Sequence, residues 1–72
     1  MTTKDTMTIS LMTSSLARSL LVRELDCYQS NMRRKCYDHD ASVKADVTQV
    51  IENLQYALDE IDAIRTATIA QL

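Results

Sequence analysis

The chain contains no glycine, no proline, no phenylalanine and no tryptophan, and it has a single histidine, His39. Without glycine it cannot build the phosphate-cradling loop or the strained nucleophile elbow that many enzymes use. With one histidine, any Cys-His nucleophile pair has to draw on Cys27 or Cys36. Without glycine or proline, nothing of that kind interrupts a helix. Long apolar runs are also missing: the longest, Leu20-Leu21-Val22, falls far short of the ~20 residues that span a bilayer. No continuous apolar core of a secretory signal occurs near Lys4, so a cytoplasmic location is expected. A surplus of positive charge is lacking too. The net charge is -2 and the pI about 5.1, which argues against a polyanionic partner, since nucleic-acid binding draws on dense Lys and Arg.

What remains is helical. β-Branched residues are mixed with Leu, Met, Ala, Gln and Glu, a composition that favours helices with short polar connections, so the fold class is all-α. From Ser42 to Leu72, Val43, Val47, Val50, Leu54, Ala57, Ile61 and Ile64 recur at steps of four and three, the mark of a helix with one apolar stripe. Upstream, Leu21, Leu25, Tyr28, Met32 and Cys36 keep a second helical stripe, and Arg33, Arg34 and Lys35 complement the negative end of that helix. Between them Asp38-His39-Asp40-Ala41-Ser42 makes a polar turn, with Asp40 or Ser42 as N-cap. The expected domain is a single antiparallel two-helix hairpin, coiled-coil-like: helix 1 about 7–37, turn 38–42 and helix 2 about 43–70. Residues 1 to about 7, rich in Thr, form a frayed lead. Folding at residue 40 sets Met32 near Val47, Leu25 near Leu54, Leu21 near Leu58 and Arg18 near Asp62.

At 100° per residue, helix 1 has two apolar faces. Leu11, Leu21, Val22, Leu25, Tyr28, Met32 and Cys36 face helix 2, while Ile9, Met12, Leu16, Leu20 and Cys27 form an opposite line. One neighbouring helix covers only one face. A chain of 72 residues buries only about 60% of its unfolded surface, so the second line is expected to bind a partner or to self-associate, completing a marginal core.

The chemical motifs carry little. Cys36 and His39, flanked by Asp38 and Asp40, have a C-x-x-H spacing, but zinc normally needs four ligands and the other half is missing. No metal and no cofactor are expected, and Cys36 is expected to be a core thiol. Cys27 and Cys36, on one expected helix and separated by roughly 13 Å of rise, cannot bridge each other. Asp59, Glu60 and Asp62 spread around a helix face rather than converging, so the chain is not expected to be an enzyme. Arg33-Arg34-Lys35 could touch RNA phosphates, but three charges at a helix end are more economically a dipole complement.

The length, the absence of Gly and Pro, the turn Asp38-His39-Asp40 between two long helices and the spare apolar line together resemble the YscE/EscE family, the small co-chaperones of type III secretion needle proteins. The segments Met1-Thr2-Thr3-Lys4-Asp5 through Leu11 and Leu20-Leu21-Val22-Arg23-Glu24-Leu25 are also similar to a member of that family. The resemblance covers the whole chain and implies a cytoplasmic hairpin that binds a helical-repeat chaperone. The pair then holds the needle subunit monomeric before export. The competing expectation is a homodimeric four-helix-bundle adaptor or a Rop-like RNA-binding protein.

Overall fold

The computed structural model describes residues 3–72 and consists of two helices, α1 (Thr3–Arg33) and α2 (Ala41–Ala70), folded back on each other. The result is a rod of 54 × 16 × 14 Å. Its radius of gyration is 16.2 Å, against about 11 Å for a compact domain of this length. A rod this thin has little interior: among the described residues only Val47 and Leu58 are buried, at 8% and 9% exposure.

The seam follows a heptad spacing on both helices. On α1 Met7, Leu11, Ser14, Leu21, Leu25, Tyr28 and Met32 are half-buried; on α2 Ile51, Leu54, Ile61, Arg65 and Thr68 are half-buried around the buried pair. Steps of four and three keep one line in register with a neighbouring helix, as in a coiled coil. The expected register holds at its far end, where Arg18 Nε donates to Asp62 Oδ1 at 2.7 Å. The Asp62 hydrogen bond, with its charge second, raises the Arg18 pKa above the usual guanidinium value. Both side chains are about half exposed, so salt screens the pair.

The phase of α2 differs from the stripe read in the sequence. Val47, Leu54, Ala57 and Ile61 do face α1, but Val43, Val50 and Ile64 are exposed, while Ile51 and Leu58 take the seam. Two apolar lines one residue apart run along α2, and the line through Leu58 also presents Arg65. Its Nη1 donates to the Leu11 carbonyl at 2.6 Å and to Ser14 Oγ at 2.9 Å. The small Ser14 leaves room for the guanidinium, and turning Ile64 inward would forfeit both bonds.

The ends of α1 also differ. The chain is already helical at Thr3, ahead of the expected start at about residue 7, and Met7 is half-buried; residues 1 and 2 of the expected frayed lead lie outside the described residues. Inside this first stretch the Thr8 hydroxyl donates to the Lys4 carbonyl at 3.0 Å. At the other end the helix stops at Arg33 and not near Tyr37, although no glycine is present. Lys35 takes the left-handed conformation, φ 60°. Around it the Cys36 amide donates to the Asn31 carbonyl at 2.9 Å and the Lys35 amide to the Met32 carbonyl at 3.0 Å. This is the Schellman closure, usually made with glycine at the position that Lys35 fills. Cys36 therefore lies in the turn and is exposed, which corrects its expected place on helix 1 and in the core.

Residues 34–40 complete the connection. Asn31 Nδ2 donates to Tyr37 Oη at 3.1 Å, and Lys44 pairs with Asp38 at 2.9 Å. Asp40 caps α2, its Oδ1 accepting from the amides of Ser42 at 3.0 Å and Val43 at 3.2 Å, so the second helix starts at Ala41 rather than about residue 43. Such a cap contributes about 1 kcal/mol.

A left-handed backbone costs a side-chain-bearing residue roughly 1 to 2 kcal/mol, and glycine avoids that cost while losing more entropy on folding. Lys35→Gly is therefore expected to stabilise the hairpin by up to about 1 kcal/mol. Urea denaturation checks this as a higher midpoint at unchanged slope. A lower midpoint would mean that the lysine side chain contributes more than its backbone costs.

Candidate partner-binding face

All five residues of the outer line of α1 are exposed. Met12 and Leu16 are the most open, at 68% and 64%, with Ile9 and Leu20 about half exposed and Cys27 exposed near Asn31, whose Nδ2 lies 3.9 Å from its Sγ. They stand opposite the seam because positions 9, 16, 20 and 27 differ from the seam positions by about half a helical turn. The two lines thus use one helix for two purposes: one holds the hairpin and the other is left to solvent.

The structure adds features that the helical projection of α1 alone does not give. A shallow open groove runs beside the outer line, lined by Leu11, Met12, Ser15, Leu16, Ser19 and Arg65. Its small serines let a neighbouring backbone approach, and its apolar wall continues into Met12 and Leu16. A second shallow surface, between Leu20, Arg23, Glu24 and Cys27, extends the line toward the turn. Exposed Ile64 and Ile69 belong to the half of α2 that runs beside the start of α1, and exposed Leu72 follows just beyond its end. The exposed large apolar side chains of the rod are therefore concentrated away from the turn, where only Val43, Val50 and, farther along, Tyr56 are open. Arg65 is a groove residue that the apolar stripe does not signal, although steps of three and four from Leu58 through Ile61 place it on the seam.

Charge separates the two outer faces. Residues 1–36 carry six of the basic and three of the acidic side chains, residues 37–72 two and seven. The outer face of α2, with Glu52, Asp59 and Glu60 around exposed Tyr56, is acidic; the middle of the α1 line, from Ile9 to Leu20, is apolar. Among the described residues no group of three or more His, Cys, Asp or Glu side chains is placed to hold a metal ion, and no helix is long and apolar enough to cross a membrane. No protein-family model, no curated protein and no solved structure matches the chain. The fold and this face define a two-helix hairpin with a free apolar flank.

Proposed function

We propose that the chain is a small non-catalytic co-chaperone whose α1 outer face binds a helical-repeat chaperone. Through that chaperone it helps keep a type III secretion needle subunit monomeric in the cytoplasm before export. The observation that carries the reading is the line Ile9, Met12, Leu16, Leu20 and Cys27, exposed along several turns of a helix whose opposite face already holds the hairpin. The sequence resemblance to needle-protein co-chaperones gives the line its partner class. The physical logic is consistent: a needle subunit polymerises by helix packing, so its storage requires an apolar helix to be covered. A helical-repeat protein that covers it presents helix-lined grooves of its own, and a rigid rod with one apolar flank fits such a groove as an added helix pair.

A homodimeric four-helix-bundle adaptor is the second reading, and the same line supports it because a bundle core would also cover it. Affinity purification of the tagged chain from its native host, followed by mass spectrometry, tests the first reading. Stoichiometric recovery of a helical-repeat protein together with a small export subunit is the expected result. Recovery of the chain alone, or of a catalytic complex, would overturn it.

A further inference from the structure

The free hairpin exposes more surface than its mass accounts for. A folded monomer of 8.2 kDa is expected to expose about 4,500 Å², whereas this chain exposes 5344 Å². The excess, about 800 Å², matches what one partner contributes to a standard protein interface. Four of the five residues of the exposed α1 line, Ile9, Leu16, Leu20 and Cys27, lie symmetrically about residue 18, with Met12 beside them. With the polar positions between them this set runs Ile9, Thr13, Leu16, Leu20, Arg23 and Cys27, all exposed, in steps of four, three, four, three and four. Read from either end the spacing is the same.

A second α1 laid antiparallel along this line therefore meets it in register. Leu16 faces Leu20 of the second copy, Ile9 faces Cys27, and Thr13 faces Arg23, whose stem can lie on the apolar seam while its charge reaches water. Each contact occurs twice, so the interface is isologous and closes at two copies. A parallel arrangement sets Arg23 against Arg23 on the seam itself. Pairing through the outer faces of α2 brings Glu52, Asp59 and Glu60 of both copies together. Like charges disfavour both alternatives.

We propose that in the free protein the outer line of α1 is covered by α1 of a second copy, antiparallel, with the two-fold axis at the level of residue 18. The dimer is a four-helix bundle in which the two α1 helices form the central contact and the two α2 helices lie outside. This pairing stands independently of the needle-chaperone reading. Where both hold, the second copy and the chaperone compete for the same side chains.

Cysteine cross-linking reads the orientation directly. In the full chain with Cys36→Ser, the remaining Cys27 has its counterpart in the second copy about 27 Å away along the antiparallel axis, at 1.5 Å per residue, too far for a disulfide. Adding Ile9→Cys places a thiol opposite Cys27 of the second copy at both ends of the seam. Mild oxidation is expected to convert the Ile9→Cys, Cys36→Ser chain to a covalent dimer and to leave the Cys36→Ser chain uncross-linked. Adding Leu16→Glu and Leu20→Glu is expected to abolish the cross-link, with circular dichroism verifying that each variant is folded. Sedimentation of the reduced wild-type chain is expected to show a mass rising with concentration from 8.2 kDa to twice that value and no further. A single 8.2 kDa species at every concentration, or a larger assembly, would overturn the proposal. So would cross-linking through Cys27 alone, which marks the parallel arrangement.

Discussion

Replacing Leu16 and Leu20 together by glutamate is expected to leave the hairpin folded and to remove its partner. Both side chains are open to water in a single hairpin, Leu16 at 64% and Leu20 at 53%, so in the monomer the new carboxylates remain solvated. Glutamate forms helices about as well as leucine, and neither position touches the seam, so the helix content seen by circular dichroism should hold. In a complex the same carboxylates are trapped in an apolar contact. An unpaired charge there costs several kcal/mol, and each 1.4 kcal/mol is tenfold in affinity. Two such charges at the middle of the line should weaken binding by at least about a hundredfold. Titration of the helical-repeat partner, or its loss on co-purification, reads the effect. Wild-type affinity of the doubly charged chain would move the interface off α1. Loss of helix content would mean that the inner and outer faces had been exchanged.

The second large effect lies inside the rod. Leu58 is one of two buried side chains among the described residues, at 9% exposure, and Leu58→Ala should cost about 2 to 3 kcal/mol, the lower part of the range for buried leucines because a two-helix seam can partly collapse around the gap. Small domains have only about 5 to 15 kcal/mol in all, so the variant should melt on the order of 10 °C lower. Tyr56, two residues away, is 69% exposed among acidic side chains, and Tyr56→Ala should change stability by no more than about 0.5 kcal/mol. Leu54→Ala, at a half-buried position, should fall between them. Thermal denaturation of the three variants gives the order directly. Equal losses at Leu58 and Tyr56 would contradict the observed phase of α2.

The sequence by itself determined two helices, because period-3.6 apolar lines run on both sides of a polar turn and no glycine or proline interrupts them. It determined their antiparallel pairing, because a connection this short leaves the second helix nowhere else to go, and it determined the Arg18–Asp62 register, which follows from where the chain folds. The outer line of α1 was legible for the same reason: five apolar side chains half a turn from the seam cannot be covered by one neighbour. Only the tertiary structure decided the phase of α2, since lines through Val50 and Ile64 and through Ile51 and Leu58 are both apolar in sequence. Packing selects between them by burying Leu58 and letting Arg65 reach Ser14 and the Leu11 carbonyl. The end of α1 was likewise decided by the fold. Closing the hairpin requires a left-handed residue after Arg33, and in a chain without glycine a lysine, which carries no sequence signal of that backbone conformation, has to supply it.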